Sequence, residues 1–123
     1  MIAVVPTKDA ARAKAFYGEV LGLKFVVDDG FALVFVGHHC SLRIVKMPEF
    51  EPLPFTLLGW HVGNIEDEIR ELLDAGVVFE RYGFFTQDAL GIWTAPNGDK
   101  VAWFKDPDGN TLSLSQHAHA LKA

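Results

Sequence analysis

The alternation of apolar and polar positions is clearest between Lys100 and Gln116, KVAWFKDPDGNTLSLSQ, where two period-two runs flank one turn. In Asp106-Pro107-Asp108-Gly109 the proline presets φ for the second position of a type I turn and the glycine accepts the left-handed conformation that follows, so a hairpin is predicted. On its entry strand Val101 and Trp103 alternate with Ala102 and Phe104; on its exit strand Leu112 and Leu114 alternate with Thr111, Ser113 and Ser115. The exit strand then has one oily face and one hydroxyl-bearing face. Leucines pressed on a helix would turn the serines toward a pocket, and an antiparallel sheet with one wet face accounts for the same pattern.

The rest of the chain carries similar punctuation. After a short apolar run, Ile2 to Pro6, Asp9 reads as the N-cap of a helix with Ala13, Phe16, Tyr17, Val20 and Leu21 at helical spacing, ended by Gly22 as a left-handed cap. Lys24 to Val27 and Phe31 to Val36 read as strands joined through Asp28-Asp29-Gly30, and Ser41 to Val45 as a strand after the Gly37-His38-His39 turn. Met47 to Pro54, with three prolines and two glutamates, can neither join a central strand nor continue a helix.

Beyond that linker the order begins again. Thr56 to Val62 is a strand, Asn64 an N-cap, and Ile65, Ile69, Leu72 and Leu73 line one helical face. Asp9 to Gly22 followed by Leu-Lys-Phe corresponds to Asn64 to Gly76 followed by Val-Val-Phe, a repeat of roughly 55 residues. The inference is an α+β fold of two βαβββ modules within one domain spanning 1–123: a first module at 1–47, a linker at 48–55 and a second module at 56–123. Val77 to Tyr82 should begin the second set of three strands. Gly83 to Gly91 is irregular, and Ile92 to Thr94 is a strand fragment before the Pro96-Asn97-Gly98-Asp99 turn.

Composition then narrows the partners. The chain has 123 residues, half of them apolar, which suffices for a buried core. Its 16 acidic and 11 basic residues leave a net charge of -5, which argues against nucleic acid and anionic membrane as partners. No apolar run reaches transmembrane length and the start, MIAVVPTKDAARAK, lacks the order of a secretory signal, so a cytoplasmic location is expected. The single cysteine, Cys40, excludes an internal disulfide and any multi-cysteine metal site, and reads as a small buried residue.

Three stretches carry a resemblance: Phe16-Tyr17 through Leu21-Gly22-Leu23, the strand into Asn64-Ile65-Glu66, and above all Ala102-Trp103-Phe104-Lys105-Asp106-Pro107-Asp108-Gly109-Asn110. On these the chain resembles the vicinal oxygen chelate superfamily, which includes glyoxalase I, extradiol dioxygenases and the bleomycin resistance proteins. The resemblance implies modules placed side by side, eight strands forming a cup, one helix per module on the convex face, and a homodimer. Members that do metal chemistry place His or Glu at four cup-facing positions, which match Ile2, Arg43 or a neighbour on the fourth strand, Leu57 and Ser113 here. None offers a carboxylate or imidazole, and Arg43 would repel a cation. No metal and no cofactor is therefore expected.

In the same registers Ile2, Val4, Pro6, Arg43, Val45, Leu57, Gly59 and His61 should face the cup, with Val101 and Trp103 as an apolar wall and Ser113 and Ser115 as hydroxyls. The candidate ligand-binding residues are Arg43, Leu57, His61, Trp93, Val101, Trp103, Ser113 and Ser115. Arg43 would clamp an anionic group or pair with a nearby acid; His61 would act as a general base or serve structurally; Trp93 and Trp103 would stack on a flat ligand or fill the core. Trp60, of opposite parity to His61, should pack under the second helix. Phe84-Phe85 reads as inter-module packing or as a lid. His38 and His39 beside Cys40 point to opposite faces and make a poor chelate, and His117 and His119 fall in a tail where disorder or a dimer contact is expected. No GxSxG elbow, phosphate-binding glycine loop or HExxH helix is present.

The leading function is metal-independent binding of a small, partly apolar molecule, anionic or neutral, by sequestration or metal-free acid-base chemistry. The alternative is a glyoxalase-like lyase or isomerase whose metal or acid-base residues lie outside the usual positions. A third reading is a dimeric interaction module whose cup has become packing.

Overall fold

Local signals place most of the elements, and the computed structural model, which describes residues 1–37 and 40–118, resolves them into two units, Met1–Pro54 with Asp106–Asn110 and Phe55–Lys105 with the chain from Thr111 onward. His38, His39 and His119 lie outside the described residues. In the first unit β1 (Ile2–Thr7), α1 (Ala10–Ala15), β2 (Lys24–Asp28), β3 (Ala32–Gly37) and β4 (Cys40–Lys46) form a helix and a four-stranded sheet ordered β1-β4-β3-β2. β1 runs parallel to β4 and the other pairs are antiparallel. Val5, Thr7, Leu42, Ile44, Leu33 and Phe35 turn to the core, while Ile2 and Val4 on the opposite face are 65% and 55% exposed.

Asp9 caps α1 by accepting from the Arg12 N–H at 3.1 Å. The expected α-helix does not run to Leu21, however: from Phe16 to Val20 it widens into a π-helical turn, with the Leu21 N–H donating to the Phe16 carbonyl at 2.9 Å. Tyr17 lies in the widened turn and is fully buried. There its hydroxyl donates to Asp106 Oδ2 at 2.7 Å, and both residues are buried.

Asp106 opens the turn predicted from its sequence, and the Gly109 N–H closes it on the Asp106 carbonyl at 3.0 Å with φ at +86° for the glycine. Its carboxylate accepts four hydrogen bonds, from Tyr17, from the N–H groups of Asp108 and Asn110, and from Asn110 Nδ2. Burial pushes the Asp106 carboxyl above its usual range, opposed by these donors, and pushes the Tyr17 phenol up more strongly. The same turn holds β1: Asn110 Nδ2 donates to the Pro6 carbonyl at 3.0 Å, and Asp108 accepts from Thr7 Oγ1 and from the Lys8 N–H.

The second unit repeats the order with β5 (Thr56–His61), α2 (Ile65–Asp74), β6 (Trp93–Thr94), β7 (Lys100–Lys105) and β8 (Thr111–Gln116), its sheet ordered β5-β8-β7-β6. Asn64 caps α2 through the Asp67 N–H, and Ile65 and Ile69 are fully buried, each contributing about 1.5 to 3 kcal/mol. Leu112, Leu114, Ala102 and Phe104 form the buried face of the sheet, with Trp60 in register with Leu114 and half-buried. The strand expected over Val77 to Tyr82 is reduced to a single bridge, Phe79 with Phe104. The chain leaves the β7 edge after Glu80, whose N–H meets the Trp103 carbonyl at 2.8 Å, and rejoins it at Trp93. The hydroxyl face of β8 also departs from expectation: Thr111 and Ser113 are buried, and Ser115 is half-buried.

Removing the Tyr17 hydroxyl leaves a buried carboxylate oxygen short of one donor. Tyr17→Phe is expected to lower stability by about 1 to 3 kcal/mol in urea denaturation. An unchanged midpoint would show that the hydroxyl contributes nothing to the fold.

Candidate functional site

Strand register brings most of the candidate residues onto one face of the second sheet. His61, Ser115, Val101 and Trp93 lie in a single cross-strand row, His61 opposite Ser115, Ser115 opposite Val101 and Val101 opposite Trp93. Gly59, Ser113 and Trp103 form the adjoining row. Period two puts all of them on the side away from Leu112 and Leu114. Leu57 stands where the β5–β8 register shifts, between Thr56 and Leu58. Ser113 is 6% exposed, and a Cβ built on Gly59 would come within 2.6 Å of its Oγ, so glycine at 59 is what admits the serine.

Arg43 belongs to the first unit. It faces the same side of its sheet as Val4 and Val34, its partners in register, and its Nη2 lies 2.8 Å from Asp29 Oδ2. Of the two roles weighed for it, the pairing with an acid is the one observed. The Arg43 guanidinium, helped by the N–H groups of Ala32 and Phe31, draws the Asp29 carboxyl down to about 2.

An aromatic layer lies over the second row. The Phe85 ring stacks parallel to Trp103 with centroids 5.2 Å apart, and meets Trp93 at 4.8 Å and 32°. Tyr82 meets Trp103 edge-on at 5.4 Å, and Trp103 Nε1 donates to Thr56 Oγ1 at 3.1 Å. Phe84, beside Phe85, is 80% exposed. A cavity of about 600 Å³ opens next to this layer, lined by Phe84, Phe85, Trp93 and Ile92 with Thr86 and Thr94 among its polar groups.

The loop carrying Phe84 and Phe85 has no regular pattern in sequence and is held by three side chains, the first being Arg81, whose Nη2 donates to the Ala89 carbonyl at 2.7 Å. Gln87 Oε1 accepts from the Tyr82 N–H at 2.7 Å, and its Nε2 donates to the carbonyls of Glu80 and Gly91. Asp88 Oδ1 accepts from the N–H groups of Leu90 and Ile92. Gln87 thus takes up backbone groups that a strand would have paired.

Two further residues join the face. His117, assigned from sequence to a frayed tail, follows Ser113 and Ser115 at period two, and its Nδ1 lies 3.2 Å from Asp99 Oδ2. Its ring centroid is 4.7 Å from that of His61. The Ala118 N–H, with Asn97 and His117 adding to it, holds the Asp99 carboxyl below its usual range. The signal that would have found the pair is parity, carried from Ser115 to His117 and from Val101 back to Asp99. Among the described residues, no group of three or more His, Cys, Asp or Glu side chains is placed to hold a metal ion. Among the described residues no helix is long and apolar enough to cross a membrane.

The model of the Glyoxalase/Bleomycin resistance protein/Dioxygenase superfamily matches residues 2–114. No curated protein sequence matches the chain. Among solved structures it is similar to a member of that superfamily from Sphaerobacter thermophilus DSM 20745, with a TM-score of 0.75 and 23% identity over 94% of each chain. TnmS3, an antibiotic binding protein from Streptomyces sp. CB03234, gives 0.73 and 24% over 95% of this chain and 93% of its own. A bleomycin resistance determinant encoded on the transposon Tn5 gives 0.72 and 22% over 97% and 98%.

Two outcomes follow from this geometry. Gln87→Ala is expected to speed hydrogen exchange at the Tyr82 amide by the equivalent of about 1 to 3 kcal/mol of local stability; unaltered exchange would mean that Gln87 does not hold this amide. Because the folded Asp29 value lies below the ordinary one, its stabilisation is present above the unfolded carboxyl value and is lost as pH falls toward about 2. Arg43→Ala should raise the Asp29 value in an NMR carboxyl titration, and no rise would deny the pairing.

Proposed function

The chain belongs to the glyoxalase/bleomycin resistance protein/dioxygenase superfamily, and from that premise we propose that it binds a small, planar, partly apolar molecule against the aromatic layer of its second sheet, without a metal. One observation carries this reading: the Phe85 ring lies parallel on Trp103 with Trp93 beside it and a cavity next to them. A surface that stacks one of its own rings has the flatness and polarisability that a ligand ring needs. Val101 supplies further apolar wall, and Ser115 and His61 supply hydrogen-bonding groups in the same row.

The members of the family model have several activities, so membership alone names no reaction. The positions matching the family's ligand slots, Ile2, Arg43, Leu57 and Ser113, carry no imidazole or carboxylate, and this supports binding that needs no ion there. An anionic group on the ligand is not required: Arg43, which would clamp one, is paired with Asp29. The similarity to an antibiotic binding protein agrees with sequestration of a drug-like molecule. The exposed Ile2 and Val4 support a homodimer, and the single Cys40 agrees with a cytoplasmic setting.

A second reading, a lyase or isomerase acting through a non-standard acid-base group, has its own support in the Asp99–His117 contact beside His61. A carboxylate that orients an imidazole is the usual setting of a general base.

Isothermal titration of the chain with a panel of flat aromatic drugs and hydrophobic acids, in the presence of chelator, is expected to yield a saturable binder. Trp103→Ala should weaken that binder by about 0.5 to 1.5 kcal/mol beyond the lost contact area. No binder in the panel, or a binder indifferent to Trp103, would overturn the reading.

A further inference from the structure

The far end of the ligand-facing side of the second sheet carries a polar cluster of which the planar-ligand reading uses the His61 ring alone. His61 ends β5, and His117 follows β8 on the same face. The two rings are 4.7 Å apart at 45°, too tilted for flat stacking. Asp99 is held in turn, with Oδ1 accepting from the Ala118 N–H at 2.8 Å and Oδ2 from Asn97 Nδ2 at 3.2 Å, and Oδ2 faces His117 Nδ1. Among the described residues no hydrogen bond is made by either His61 ring nitrogen or by His117 Nε2.

A carboxylate on Nδ1 fixes the imidazole tautomer with its proton on that nitrogen and leaves the Nε2 lone pair free, which is how a metal-ligating histidine is oriented. It also places a negative charge one residue behind the donor. Lys100, the next residue along, turns away to the α2 side, where its Nζ lies 3.0 Å from Glu66 Oε1. Neutral imidazole nitrogens suit late first-row divalent ions.

We propose that His61 and His117 form a two-point binding site for a divalent late first-row transition ion, with Asp99 orienting His117 and the remaining coordination positions open to water or an added donor. The site differs from the four positions at Ile2, Arg43, Leu57 and Ser113, and it does not depend on the planar-ligand reading. With two protein donors it binds more weakly than closed four-ligand sites, and it leaves the metal accessible.

The test uses the full chain without a histidine tag, titrated with Zn²⁺ and with Ni²⁺ against a chromophoric chelator, while the ring ¹⁵N resonances of its histidines are followed by NMR. One equivalent of ion is expected to bind and to shift the resonances of His61 and His117. His61→Ala and His117→Ala should each weaken binding about tenfold or more, and Asp99→Asn about 10- to 100-fold. A His38→Ala/His39→Ala double variant should bind as the parent does, and thermal unfolding of each variant without metal serves as the folding control. Absence of binding, shifts confined to other histidines, or affinity that survives loss of both His61 and His117 would overturn the proposal. If a variant fails to fold, the resonance shifts of the parent chain decide. Because the planar-ligand titration is run with chelator present, each reading fails separately.

Discussion

A buried carboxylate sets the terms for the first unit. Asp106 lies in a turn where burial raises the cost of its charge, and four donors within 2.9 Å compensate for the lost water. Two of those donors are backbone N–H groups of its own turn, so the turn geometry and the charge support each other. The other two come from Asn110 and Tyr17, and Asn110 also bonds the Pro6 carbonyl on β1. The core helix, the first strand and the turn thus share one hydrogen-bond network. Satisfied throughout, such a network specifies a single arrangement; with one donor missing, the remaining groups are left in a medium of low dielectric.

The π-helical turn makes sense in that setting. Phe16 and Tyr17 both lie in the wider turn and are buried, and from there the tyrosine hydroxyl reaches Asp106. The backbone irregularity and the polar network meet at Tyr17.

In the second unit the corresponding tension is between sheet and loop. The outermost strand is broken into a bridge at Phe79 and a two-residue piece at Trp93, and the chain between them spends its hydrogen-bonding groups on Gln87 and Asp88. That excursion delivers Phe85 to Trp103. The result is a functional surface made partly from a loop ordered by its own side chains, on a scaffold of paired strands. The polar end of the same face lies just beyond the paired strands, where Asp99 is held by the Ala118 N–H and by Asn97 and in turn faces His117 beside His61.

What the sequence by itself determined is local or periodic. The Asp-Pro-Asp-Gly turn, the Asp9 and Asn64 caps, the Gly22 terminus, the two helices and the alternation of faces within each strand follow from backbone preferences and from a period of two, which neighbouring residues set without help. The repeated order of elements was legible for the same reason. Only tertiary structure decided the rest, since each part joins residues far apart in the chain: Tyr17 with Asp106, Phe85 with Trp103, Arg43 with Asp29, and His117 with Asp99 and His61. A strand of Val, Phe and Tyr at 77–82 satisfies local propensity, yet Gln87 competed for its backbone groups and won. A histidine in a polar tail carries no local mark of order; its place came from the register of β8 against β7, a property of the pair and not of either strand.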